Sequence, residues 1–412
     1  MKQNSIELMA PAGSFESLQA AIQGGANSIY FGVEHLNMRT KSTHNFILED
    51  LTEIVRICNE NNLKSYLTLN TILYDHDISL MKRIVDECKK TGVSAVIASD
   101  HAVMNYAKKI GQTVHISTQC NITNIESVEF YANFADVMVL SRELSLLQVE
   151  TINKEIKRRD IVGPSGNLVR TEIFGHGALC MAVSGKCYLS LHSNFSSANR
   201  GACVQNCRKS YIVTDKDTGH ELEIDNEYIM SAKDLCTIDF LDKIIDSGVS
   251  VLKIEGRGRS ADYVNITTSC YREAINSIQD GAYSSERVIA WKERLATVFN
   301  RGFWDGYYLG KLMGEWNDSY GSKATTRKVY VAKGRKYYEE AKVGEFLMEA
   351  QDLKIGDDIC ITGPTTGVLF TKIEELRVDN KAVIQVKKGT EFTFITPEKI
   401  RPSDKLYKIV EA

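Results

Sequence analysis

Apolar residues in this chain fall into short runs rich in β-branched side chains, separated by stretches where they recur every three to four positions. The runs at Ile6–Met9, Ser28–Gly32, Lys64–Asn70, Ala95–Ala98, Val114–Thr118, Val137–Ser141, Leu168–Phe174 and Val251–Glu255 read as strands. Between them Leu51, Ile54, Val55 and Cys58 share one helical face, as do Leu80, Ile84, Val85 and Cys88. Those two cysteines read as small buried hydrophobes. Strands alternating with helices predict a parallel sheet, and eight such units over about 260 residues match a (β/α)8, TIM-like barrel. A doubly wound open sheet competes, but no G-x-G-x-x-G follows the first strand.

The polar residues support the barrel. Pro11-Ala12-Gly13, Asn70, Ser99-Asp100, Gln119, Arg142, His176 and Glu255-Gly256-Arg257 all end or follow a strand, and in this fold those ends form the catalytic face. Strands seven and eight are roughly 75 residues apart, where one βα unit needs about 25 to 35. Lys233–Gly248 reads as the helix of that unit. Residues from about 175 to 232 are then a cysteine-rich insertion at the barrel mouth. Helical patterns at Ala261–Asp280 and Glu286–Phe299 follow. From Thr326 the pattern becomes alternating, with runs at Val329–Ala332, Ile359–Thr362, Ala382–Val386 and Phe392–Ile395. This predicts a barrel domain over 1–325 and a small antiparallel β domain over 326–412.

A length of 412 residues and 43% hydrophobic content are ordinary for a globular chain of this size. The net charge of -3 excludes a polycation, so nucleic-acid contact would need a local basic patch. Two stretches qualify: Arg327, Lys328, Lys333, Arg335 and Lys336, and Arg200, Arg208 and Lys209. The first reads equally as an edge strand guarded by its charges. No apolar run approaches ~18 residues, which predicts no membrane span. The N-terminal stretch has no apolar signal region, and ten cysteines then fit reduced thiols or metal ligands in the cytoplasm better than disulfides.

Four of those cysteines, Cys180, Cys187, Cys203 and Cys207, have the spacing C-x6-C-x15-C-x3-C within a stretch, Ile173 to Thr214, that contains no Asp or Glu. Thiolates around a metal leave net negative charge, which nearby cations stabilise. Structural zinc sites draw on close C-x2-C pairs, absent here, whereas wide spacing on a long insertion suits a 4Fe-4S cluster. Zinc, or no metal, stays open, and Cys120 and Cys236 are spare candidates, the latter on an apparent helix face. Lys253, Glu255 and Arg257 alternate along strand eight and read either as mouth groups or as a salt-bridge network inside the barrel. There is no H-E-x-x-H or G-x-S-x-G, which leaves a thiol paired with His176 as the proteolytic alternative.

Glu172-Ile-Phe-Gly-His-Gly-Ala-Leu-Cys180, Ser184-Gly-Lys-Cys187-Tyr-Leu-Ser190 and Asn199-Arg-Gly-Ala-Cys203-Val-Gln-Asn-Cys207-Arg208 resemble the signature region of the collagenase-like peptidase family of undetermined catalytic type. The resemblance extends to Leu8-Met-Ala-Pro-Ala-Gly13, Tyr30-Phe-Gly32, Asn37-Met-Arg39, Ser117-Thr-Gln119, Ser231-Ala-Lys-Asp234 and Lys253-Ile-Glu-Gly-Arg257. Arg257-Gly-Arg259 departs from the more usual Arg-Met-Lys. The family includes iron–sulfur proteins that hydroxylate RNA bases or quinone precursors. The branch with a short C-terminal β domain, which this chain looks like, includes prephenate-dependent hydroxylation of tRNA to 5-hydroxyuridine at the wobble position. The resemblance therefore implies a 4Fe-4S cluster on the four cysteines, prephenate as a small dicarboxylate co-substrate, and tRNA as partner. It makes His176, Lys233, Glu255 and Arg257 the candidate catalytic residues. Arg39, Asn70, Gln119, Arg200, Arg208 and Lys253 become the candidate substrate contacts. Proteolysis, or hydroxylation of ribosomal RNA or a quinone precursor, is the alternative.

Overall fold

The computed structural model describes residues 6–33, 35–40, 45–209, 211–219, 221–222, 230–311, 314–318 and 321–412. Seven parallel strands come first: β1 (Glu7–Pro11), β2 (Ser28–Phe31), β3 (Lys64–Leu69), β4 (Ala95–Ala98), β5 (Val114–Ile116), β6 (Val137–Val139) and β7 (Arg170–Ala178). The eighth, Val251–Ile254, pairs with both β1 and β7 and closes the barrel. Parallel strands are covered by helices outside and side chains inside, so their residues are buried on both faces. That is why they read as continuous apolar runs.

Local chemistry sets the helix starts. Ser14, Asp100 and Asn124 accept from backbone N–H groups of the first turns of α1 (Phe15–Gln23), of the helix His101–Ile110 and of the helix Ile125–Ala132. Ser145 and Gln148 form a capping box on the helix Leu146–Arg158. The helix Leu51–Glu60 buries Leu51, Ile54, Val55 and Cys58 as expected. Ile78–Thr91 turns Met81, not Leu80, fully inward beside Ile84, Val85 and Cys88.

Lys233–Gly248 is not one helix. Asp234–Cys236 is a strand antiparallel to the upper end of β7, and helix is confined to a 3-10 turn at Ile238–Phe240 and to Leu241–Asp246. The reason is that β7 outruns the barrel. Its lower residues pair with β6 and the eighth strand, while His176, Gly177 and Ala178 recruit Asp234–Cys236, which in turn carries Phe303–Trp304. Cys236 is therefore buried on a strand, not on a helix face. The insertion leaves from the top of β7, at the barrel mouth.

The C-terminal chain forms a separate eight-stranded antiparallel sheet around Val331, Phe346, Phe392, Phe394 and Leu406. Its first strand, Thr326–Tyr338, is not an edge: it is paired on one side by Val343–Met348 and on the other by Lys405–Glu411. Gln23 of α1 ties this sheet to the barrel, donating to the Thr366 carbonyl at 3.0 Å and accepting from the Val368 N–H at 2.9 Å. Lys328 forms an ion pair with Asp262 in the helix Ala261–Gln279. Among the described residues no helix is long and apolar enough to cross a membrane.

Candidate active site at the barrel mouth

The upper ends of the strands open into a cavity of about 550 Å³ beneath the insertion. Of the residues singled out from sequence, it is lined by all four cysteines and by Arg39, Asn70, Gln119, Arg208, Lys253, Glu255 and Arg257. Five segments distant in sequence thus converge on one space.

Glu255 is the single carboxylate among the described lining residues. Its Oε1 accepts from Arg39 Nη2 at 2.9 Å. Burial pushes its pKa up, but Arg39, Arg259 and Arg142 outweigh that and hold it below the usual carboxylate value. It is ionised at neutral pH. Arg257, 6% exposed, donates from Nη1 to Thr68 Oγ1 at 2.8 Å, and burial lowers its pKa to about 10, so it stays charged. Two glycine turns make room for it. A Cβ on Gly13 would lie 2.1 Å from the Arg257 carbonyl oxygen, and one on Gly32 would lie 2.3 Å from its Nη1. This is the physical content of the Pro11-Ala12-Gly13 and Tyr30-Phe-Gly32 words.

Asn70 accepts from the Met38 N–H at 3.3 Å and donates to Ser117 Oγ at 3.3 Å, which anchors the loop carrying Arg39. Gln119 packs under Gly185, and its buried Oε1 has no hydrogen-bond partner among the described residues. Lys253 sits on the floor. Its Nζ donates to Glu172 Oε1 at 2.8 Å and lies 4.3 Å from the centre of the Tyr30 ring. For Lys253 the salt-bridge reading and the mouth reading both hold. Arg208 lines the cavity while lacing the insertion together, donating to the Ser231 hydroxyl and to the carbonyls of Ala232 and Leu179.

Three of the sequence candidates lie outside the cavity. His176 is 2% exposed among Tyr263, Tyr271 and Phe303, and burial drives its pKa down to about 3, so the ring is neutral. Strand alternation would have aimed it at the mouth beside Phe174. A bulge intervenes: Phe174 pairs with Lys253 but His176 pairs with Ile254, and the extra residue turns the ring out toward Tyr271. Lys233 pairs with Glu315 at 2.8 Å. Arg200 pairs with Asp77 at 2.8 Å and stacks on Tyr74.

The cavity is also lined by cations outside the sequence-predicted site residues. Arg142 stacks 3.8 Å from the Phe174 ring centre and Arg259 3.5 Å from that of Phe299. Lys186 and Arg301 complete the lining charges. Arg142 had a signal, its place after strand six. Arg301 had none, because it arrives from beyond the barrel helices.

Cys180 is exposed and the other three are half-buried. Burial raises the Cys207 thiol pKa, Arg208 opposes this, and the other three cysteines add to it. Among the described residues no group of three metal-ligating side chains is drawn to binding separation. The donor set nevertheless suits a thiolate-bound metal centre: four thiols line one cavity together with several cations, and Glu255 is the single carboxylate among the described lining residues. Cys120 and Cys236 do not line this wall.

Comparison with known proteins places the chain. It is 56% identical over 408 residues, 99% of each chain, to a collagenase of Porphyromonas gingivalis. It is 32% identical to tRNA hydroxylation protein P of Helicobacter pylori, across 74% of this chain and 72% of that one. It is 33% identical to the 23S rRNA 5-hydroxycytidine C2501 synthase of Escherichia coli, across 66% of this chain and 40% of that one. Residues 13–318 match the model of peptidase family U32, and the chain belongs to that family.

Proposed function

We propose that this chain is an iron–sulfur-dependent tRNA hydroxylase forming 5-hydroxyuridine at the wobble position, with prephenate as co-substrate. The observation that carries the reading is the make-up of the mouth cavity, which four cysteines, eight cations and one carboxylate line together, with no histidine among the described lining residues. Such a space favours an anionic ligand beside a thiolate-bound centre. One relative is named for tRNA hydroxylation and another for a 5-hydroxylated cytidine of ribosomal RNA, which supports an RNA base as the acceptor.

Cys180, Cys187, Cys203 and Cys207 would hold the cluster, which when bound supplies one-electron chemistry. The chain's own residues do the rest. Arg39, Arg142 and Arg259 offer guanidinium forks for the carboxylates of a small dicarboxylate. Ionised Glu255 orients Arg39 and is placed to accept a proton from a group at the mouth. Buried Arg257 fixes positive charge where water is excluded. A volume of about 550 Å³ accommodates one small ligand and one unstacked base.

The relatives named collagenase favour a second reading, proteolysis at the same mouth. A thiol nucleophile needs a base within about 3 Å, and His176, whose basicity burial lowers, faces the helix layer instead. Deleting the gene and profiling tRNA nucleosides by mass spectrometry decides the matter. Loss of 5-hydroxyuridine-derived nucleosides is expected. Unchanged tRNA together with gelatin cleavage by the purified, metal-free chain would establish the peptidase. Loss of a ribosomal RNA nucleoside or of a quinone instead would keep the chemistry and change the acceptor.

A further inference from the structure

The roof of the cavity carries apolar side chains on the outside, where a stable chain gains nothing from them. Tyr188 is 70% exposed and Phe195 95% exposed. They bracket the short helix Leu189–Asn194 as its first and last flanking residues. Tyr188, Leu191 and His192 follow one another at helical i, i+3 and i+4 positions and share a face, Phe195 ends the helix, and all four are exposed. The opposite side is anchored: Ser190 is 1% exposed and accepts from the Val204 N–H. Phe195 itself has φ of 50°, a left-handed conformation that a bulky residue adopts at a cost. An exposed aromatic held in a strained backbone calls for a partner.

Charge identifies the partner's class. The surrounding stretch from Ile173 to Thr214 contains no acidic residue. Lys186, exposed, precedes the helix and also lines the cavity, as does Tyr188. Lys209, exposed, stands beside the far end, because Asn206 accepts its N–H and donates to Ser193 and Asn194. Aromatic rings interleaved with cations beside an electropositive cavity match a single-stranded nucleic acid, whose bases stack while its phosphates meet lysines. The rings are seven residues apart, about 10 Å along a helix, which is the reach of roughly three stacked nucleotides.

We propose that this helix is a stacking platform for an unpaired RNA loop. Tyr188 at the cavity rim receives the base next to the reacting one, Phe195 holds a base farther out, and Lys186 and Lys209 contact the intervening phosphates. This assignment rests on the RNA-hydroxylase reading and adds to it the surface that presents the substrate.

The test is the affinity of the purified full chain for an anticodon stem–loop RNA, followed by fluorescence anisotropy at several salt concentrations. Tyr188→Ala and Phe195→Ala should each weaken binding roughly 5- to 100-fold, while Tyr188→Phe, which keeps the ring, binds like the parent. Lys186→Gln with Lys209→Gln should flatten the salt dependence by about 1.4 in log–log slope. Unchanged thermal melting of the alanine variants shows that the fold is intact, as their exposure leads one to expect. Parental affinity in both alanine variants overturns the platform even if tRNA hydroxylation is lost on gene deletion, which keeps the two proposals separable. Loss of gelatin retention with RNA binding intact would make the face a protein site and also overturn it.

Discussion

Arg39 and Glu255, 216 positions apart in the chain, meet across the barrel mouth with Nη2 2.9 Å from Oε1. The pair is partly shielded, with side chains 30% and 13% exposed, and it joins the loop after β2 to the end of the eighth strand. Glu255→Gln removes the single carboxylate among the described lining residues and leaves Arg39, Arg142 and Arg259 to repel one another. The expected cost is about 1–3 kcal/mol at neutral pH, with loss of the hydroxylated nucleoside under the proposed function. The folded pKa of Glu255 is depressed. Its stabilisation is therefore present above the unfolded value near ~4.3 and fades as pH falls through the lower folded value. Urea titrations should show the parent and variant converging in acid; a constant gap would mean that charge is not what Glu255 contributes.

Glu7 gives a second pH signature at the opposite end of the barrel. Burial pushes its pKa up, but hydrogen bonds from Tyr66 and Lys64 bring it down to about 2. Tyr66 donates at 2.6 Å, Lys64 at 2.9 Å and Arg170 at 3.2 Å. With this depressed pKa the stabilisation is complete above pH ~4.5 and disappears toward pH 2. Glu7→Gln should cost about 2–3 kcal/mol at pH 7 and almost nothing near pH 2, measured by denaturant midpoints. A loss that does not vary between those limits would contradict the ionised network.

Gly32 tests whether Arg257 must sit where it does. A Cβ at this position lies 2.3 Å from Arg257 Nη1 and 2.9 Å from Asn37, so the guanidinium has to move. Gly32→Ala should cost about 1–3 kcal/mol and, under the proposed function, lower tRNA hydroxylation at least ~10-fold. Gly92→Ala is the control. Its φ of 85° makes alanine strained by about 1 kcal/mol, but its nearest neighbour is Val55, far from the mouth, and hydroxylation should persist. Equal losses of function in both variants would reduce the Gly32 effect to general destabilisation.

The four insertion cysteines are expected to act together. Anaerobically purified protein should contain iron and sulfide with visible charge-transfer absorption, and each of Cys180→Ser, Cys187→Ser, Cys203→Ser and Cys207→Ser should lose most of it. Cys236→Ser and Cys120→Ser should retain it, since neither side chain lines the cavity wall. One zinc per chain with no sulfide would assign a different metal to the same thiols.

The barrel strands were legible because the property that buries them is local. A parallel strand covered on both sides must be a short apolar run, and a covering helix must repeat its apolar face at 3.6. The same logic marked the mouth residues, since strand ends in a closed barrel share one face. The four cysteines and the absence of acids around them were visible for an equally local reason, their density in sequence.

What the sequence left open depends on neighbours far along the chain. Asp234–Cys236 is a strand only because β7 extends past the barrel and offers it an unpaired edge. The run from Arg327 to Lys336 looked like one patch, yet Lys328 turns to Asp262 on the barrel while Arg335 approaches Glu391 within the β domain. Arg200 and Lys233 had the right charge but found carboxylates of their own in Asp77 and Glu315. His176 is the sharpest case. Its residue type, its place in the motif and strand alternation all aimed it at the mouth, and one extra residue in β7 reversed it. Periodicity tells which residues are buried and on what kind of element. Which way a side chain faces past a bulge, and which opposite charge it reaches, is decided by pairing across the fold, because those energies arise only when distant segments meet.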